Sequence, residues 1–80
     1  MKRVRMLYFA SLRDAAGVEA EWFDTDAATL AELHAECQRR HDFALPRERL
    51  RVAQAGAFAA WSDPVQDGAE IAFIPPVSGG

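Results

Sequence analysis

Cysteine occurs once in the 80 residues, at Cys37. No internal disulfide can form, and nothing in the chain points to an oxidising compartment. Long apolar runs are also missing. The longest uncharged stretch near the start, Met6–Leu12, is too short to span a bilayer and lacks the layout of a signal peptide. A cytoplasmic chain with no membrane partner is therefore expected. A clustered basic face is lacking as well: the net charge is −3, and the cations are dispersed apart from Arg39-Arg40 and Arg47, Arg49 and Arg51. Phosphate-backbone binding needs such a face, so no nucleic-acid partner is expected. No glycine-rich loop precedes a helical segment, which removes the usual nucleotide cradle. His34 and His41 have no clustered cysteine or carboxylate ligands beside them, so no metal site is expected. Internal repeats, low-complexity tracts and interdomain linkers are absent too.

What remains is a small chain, half of it apolar, which suits one domain with one core. Arg3–Ala10 is rich in β-formers and reads as a strand. Alternation puts Val4, Met6 and Tyr8 on one face and Arg5, Leu7 and Phe9 on the other. Arg5 assigns that second face to solvent. Ser11–Gly17 suits a short helical turn closed by its glycine. In the next strand, Val18, Ala20 and Trp22 are expected inward, with Glu19 and Glu21 outward. Thr29 and Glu32 form a capping-box pattern that opens a helix over Ala28–His41. Leu30, Leu33, Cys37 and His34 fall on its apolar stripe, and Arg39, Arg40 and His41 sit where cations suit the helix dipole. Two short strands flank Gly56, turn signals follow at Asp63-Pro64 and Asp67-Gly68, and the last strand is Ala69–Ile74. There Ile71 and Phe73 share the inner face, and Glu70 places Ala72 and Ile74 outside. The order of elements implies an α+β fold with one main helix on one face of a mixed sheet of about five strands.

Side-chain chemistry is sparse. Cys37 on an apolar stripe reads as a small core residue rather than a nucleophile. Asp14, Asp24, Asp26 and Asp42 read as turn or cap residues, and Trp22 and Trp61 as core. The exception is the end of the chain, "IAFIPPVSGG". Pro75 and Pro76 lack an N–H and fix φ, so the sheet ladder is expected to stop there and the chain to leave extended. Residues 1–75 then form the domain and 76–80 a projecting tail. Val77, Ser78, Gly79 and Gly80 span at most about 14 Å when extended. Gly79 and Gly80 carry no side chain, so the tip is thin enough to enter a narrow channel and present the Gly80 carboxylate. The competing reading is a frayed terminus.

Over essentially its whole length the chain resembles the small, sulfur-carrying subunits of molybdopterin synthase. The resemblance rests on "VRMLYFASLRDAAG", "TLAELHAEC", "DPVQDGAEIAFIPP" and the terminal "VSGG". It departs from the family at "VAQAGAF", where an asparagine usually stands in the turn. The resemblance implies a β-grasp, ubiquitin-like fold in which the first and last strands lie parallel and adjacent. It implies that a partner akin to ubiquitin-activating enzymes adenylates Gly80 with ATP, and that a sulfur donor then makes the thiocarboxylate. Pro75, Pro76, Val77, Ser78 and Gly79 would thread into the large synthase subunit, where sulfur passes to cyclic pyranopterin monophosphate. The assembly implied is a heterotetramer of two small and two large subunits, in which this chain holds no cofactor and is not catalytic alone. Phe9 and Ile74 are expected to form the docking patch from their parity, and the resemblance adds Phe58. The alternatives are a sulfur carrier for thiamine thiazole synthesis and a ubiquitin-like modifier of other proteins.

Overall fold

The computed structural model describes residues 1–76. Strand β1 runs over Lys2–Tyr8, a short helix α1 over Ser11–Ala16, and β2 over Ala20–Thr25. Helix α2 spans Leu30–His41, and a 3-10 turn at Arg47–Arg49 leads into β3 (Arg51–Gln54), β4 (Ala57–Ala59) and β5 (Glu70–Ile74). The strands form one sheet in the order β2-β1-β5-β3-β4. β1 and β5 are parallel, and every other pair is antiparallel. This is the mixed five-stranded, ubiquitin-like arrangement expected from the sequence.

Helix α2 starts where the capping box requires. Thr29 Oγ1 accepts from the Glu32 N–H at 3.3 Å, and Glu32 Oε2 accepts from the Thr29 N–H at 3.0 Å. The helix ends at Asp42, in the left-handed conformation that closes helices. Its stripe of Leu30, Leu33, His34 and Cys37 is buried against the inner sheet face, where Val4, Met6, Tyr8, Phe23, Val52, Ile71 and Phe73 are all buried. Phe43, Leu50 and Val65 close the sides of this core. Burial of a large apolar side chain contributes about 1.5–3 kcal/mol, so these contacts are the main stabilising term.

One strand faces the opposite way from its expected parity. Trp22 is 50% exposed and Val18 42% exposed, whereas Phe23 and Thr25 are buried. Register explains the reversal: Phe23 lies opposite the buried Val4, and Trp22 opposite Arg5. Cross-strand partners share a face, so Phe23 enters the core and Trp22 joins the arginines outside. Glu21, expected outward, turns inward with Phe23 at the rim of the core. The core reading of Trp22 is corrected accordingly, while Trp61 does pack against the core.

Candidate functional site

The outer face of the sheet is built by register. Ala20 of β2 pairs with Leu7 of β1, Leu7 with Ala72 of β5, Ala72 with Ala53 of β3, and Ala53 with Phe58 of β4. One apolar row therefore crosses all five strands, a width of about 19 Å at the usual strand spacing. Its alanines are too small to rise from the sheet, so the middle is flat. Ala72 is buried although it lies on this face, because its neighbours close over so short a side chain.

Larger groups stand around this floor. Phe58 is 62% exposed and Phe9 47%, a state that gives a buried core nothing. Ile74 pairs with Arg51 one row nearer the chain exit. Phe9 follows directly after β1, whose last residue pairs with Phe73. Phe9, Ile74 and Phe58 thus all lie on the outer face, with Phe9 and Ile74 at the end where the chain leaves. Phe58 owes its place to the two-residue turn at Ala55-Gly56, where both residues have positive φ. Such a turn matches the twist of a hairpin and fixes its register.

The chain departs from that same end. The ladder stops at Ile74, and Pro75 is half-buried while Pro76 is exposed. Val77, Ser78, Gly79 and Gly80, the remainder of the expected tail, lie outside the described residues. Just past Phe9 the backbone leaves the sheet through a turn in which the Leu12 N–H donates to the Phe9 carbonyl at 3.0 Å. Ala10 takes φ 50° there, a region alanine disfavours.

Arg3, Arg5 and Arg51 share this face with Asp24, which pairs with Arg3, and Glu70, which pairs with Arg5. The Arg51 guanidinium lies 4.0 Å from the Phe58 ring centroid. Arg3 and Arg5 lie 5.2 and 5.6 Å from the Trp22 ring. Arginine on an aromatic face keeps its charge while covering apolar surface. Sequence parity found Phe9 and Ile74. It missed Trp22 and the alanine row, because both depend on which residues pair across strands.

Behind the sheet, a second cluster joins β1, β2 and α2. Tyr8 Oη donates to Glu21 Oε2 at 2.6 Å, and His41 Nε2 meets the same oxygen at 2.6 Å. Arg40 lies 3.7 Å from Oε1. Burial alone would raise the Glu21 pKa, but the bonds from Tyr8 and His41 and the charges of His41 and Arg40 together hold it below the ordinary carboxylate value. Cys37 is fully buried, and its thiol lies 3.9 Å from Tyr8 Oη. Burial pushes its pKa up to about 12, so the reactive thiolate is scarce at neutral pH. The cluster clamps the end of α2 to the sheet. A surface hollow beside Asp26, Glu32 and Glu36 is equally structural: Glu32 caps α2, and Glu36 accepts from Thr25 at 2.7 Å.

Residues 6–80 match the ThiS family. The chain is 34% identical to the molybdopterin synthase sulfur carrier subunit of Haemophilus influenzae, with 96% of this chain and 99% of that protein covered. The Escherichia coli protein of the same name is 31% identical over the same shares. Among solved structures, SAMP1 from Haloferax volcanii superposes with a TM-score of 0.79 at 28% identity, covering 98% of this chain and 99% of that one. A fold likeness extends to the protein–protein complex of subunits 1 and 2 of molybdopterin-converting factor from Helicobacter pylori, with a TM-score of 0.67 at 24% identity, covering 98% of this chain and 99% of that one.

Proposed function

Since the chain belongs to the ThiS family, we propose that it is the sulfur-carrier small subunit of molybdopterin synthase, acting in molybdenum cofactor biosynthesis. The observation that carries this reading is its match, over nearly the full length of both chains, to carrier subunits of that enzyme. The reactive group is the Gly80 carboxylate. A carboxylate is a poor electrophile, so a ubiquitin-activating-like adenylyltransferase first joins it to the AMP part of ATP, releasing pyrophosphate. A sulfur donor then displaces AMP and leaves a thiocarboxylate, whose sulfur is a softer nucleophile than the oxygen it replaces. The carrier docks on the large subunit, and Pro75 to Gly79 deliver the tip to cyclic pyranopterin monophosphate. Successive carriers supply the two sulfurs of the dithiolene, in a cytoplasmic heterotetramer of two small and two large subunits. The small subunit supplies no metal, nucleotide or catalytic side chain of its own.

The outer face suits two successive partners. Phe9 and Ile74 offer apolar contact beside the chain exit and Phe58 adds to it one row back, an exposed patch of the kind that marks a partner site. Similarity to SAMP1, named a small archaeal modifier protein, favours a second reading, in which Gly80 is joined to amines of other proteins.

The test is a chain whose Gly80 carboxylate is capped as an amide. It should fold normally yet form no product with the large subunit, the activating enzyme, a sulfur source and the substrate. Undiminished product would refute the terminal-carboxylate mechanism. The intact mass of the protein from cells separates the two readings: one oxygen replaced by sulfur marks a carrier, and isopeptide-linked target peptides mark a modifier.

A further inference from the structure

The chain holds eight arginines and a single lysine, Lys2. It therefore has two amines, the Lys2 side chain and the Met1 N-terminus. Both lie at the start of β1. Lys2 Nζ donates to the Ala27 carbonyl at 3.2 Å, and the Met1 amine lies 3.5 Å from Asp26. β5 runs parallel to β1, with Tyr8 beside Phe73, so the chain leaves from the opposite end of the sheet. The six steps from Lys2 to Tyr8 and the further three to Pro76 place these ends about 30 Å apart. Four extended residues beyond Pro76 reach about 14 Å, and a lysine side chain adds about 6 Å. A fully extended tail thus falls short of Lys2 Nζ by about 10 Å, and of the Met1 amine, one residue further back, by about 19 Å. The one thiol, Cys37, is fully buried beneath α2.

We infer that the fold isolates the chain's own amines and thiol from its C-terminus, so that an activated Gly80 meets amines and thiols only of other molecules. The inference rests on the proposed reading, since only an activated carboxyl needs such isolation. The side reaction avoided is self-acylation. An amine nitrogen would attack the Gly80 carbonyl carbon, a C–N bond would form, and the bond to the leaving group would break. The amine proton would pass to solvent, and the chain would close on itself as a dead-end amide. Cations are still present near the exit, but Arg51 supplies one there as a guanidinium, which stays protonated and does not acylate at neutral pH. Arginine in place of lysine keeps the charge and removes the amine.

The experiment needs no partner protein. The full chain is prepared as a C-terminal thioester and kept dilute at about pH 8.5, where some lysine is unprotonated. Hydrolysis and internal amide formation are then separated by intact mass and by mapping the linked peptide. Arg51→Lys places an amine opposite Ile74, within reach of the terminus. Arg3→Lys places one at the far end, on an exposed side chain. A tethered amine within reach acts at millimolar effective concentration, against micromolar for one on another molecule. Arg51→Lys should therefore form an internal amide at position 51 at least tenfold faster than the parent chain, and Arg3→Lys should match the parent. Internal amide in the parent at a comparable rate would overturn the inference. So would equal behaviour of the two variants. Because the thioester is made chemically, these outcomes stand apart from the amide-cap test, on which the sulfur-carrier reading depends.

Discussion

Replacing Ala55 by asparagine should make the protein more stable. Ala55 and Gly56 are the two residues between β3 and β4, with φ of 53° and 85°. A turn of this kind requires positive φ at both positions and favours Asn-Gly. Glycine meets the demand at Gly56, but alanine at Ala55 is strained. The left-handed region costs an ordinary residue about 1–2 kcal/mol, and asparagine, several-fold enriched there, recovers about 1 kcal/mol of it. Ala55 is exposed, so the larger side chain displaces nothing from the core, and the Ala55 N–H bond to the Glu70 carbonyl belongs to the backbone and survives. In a domain this small, 1 kcal/mol shifts the melting temperature by about 4–8 °C. Ala55→Gly should gain less, because glycine returns about 0.4–1 kcal/mol of entropy to the unfolded chain. Thermal melts and urea titrations on the three proteins, with the m-value checked for constancy, measure both differences. An asparagine variant no more stable than the parent, together with a less stable glycine variant, would show that the turn holds no strain at Ala55.

Three further outcomes are expected. His34 is buried among Phe43, Phe73 and Trp61, and burial, aided by Arg47 and opposed by Glu48, keeps its pKa below the ordinary value. The unfolded chain then binds a proton that the folded chain resists, so stability present above about pH 6.5 should fall on acidification through that value. A chain with His34→Met should show a flatter profile between neutral and mildly acidic pH. Glu21→Gln removes the charge from the bonds to Tyr8 and His41 and should cost about 1–3 kcal/mol in chemical denaturation, with partner affinity unchanged. Phe9→Ala or Ile74→Ala should weaken binding to both partners by about 1–3 kcal/mol if each acts as an anchor, with little loss of stability. Strong destabilisation at unchanged affinity would reverse the assignment of faces.

The elements most legible in the sequence were those whose pattern is local. Thr29 and Glu32 announce a helix start by themselves, and Arg5 and Glu70 each mark a solvent face for a whole strand. β1, α2 and β5 therefore match their expected faces. β2 misled because Glu21, and Glu19 just before the strand, suggested an outer face, while the choice belonged to Phe23, which needs Val4 across the sheet. Glu21 tolerates the inner rim only because Tyr8, His41 and Arg40, from two other elements, converge on it. The chain exit was legible from two prolines. The apolar row was not, because Ala20, Leu7, Ala72, Ala53 and Phe58 become neighbours only through four separate registers.

The two tryptophans lie on opposite sides of one sheet, and this gives the protein two optical channels of its own. Trp22 is half open to water beside Arg3 and Arg5, on the outer face of the sheet. Trp61 stacks near His34 and Phe73 on the helix side. Indole emission shifts with the polarity around the ring, so the first should emit to the red of the second. A protein that covers the outer face should change the red component and leave the blue one, whereas loss of the core should do the reverse. Docking and unfolding can then be followed in one unlabelled sample, and Trp22→Phe tells which signal belongs to which ring.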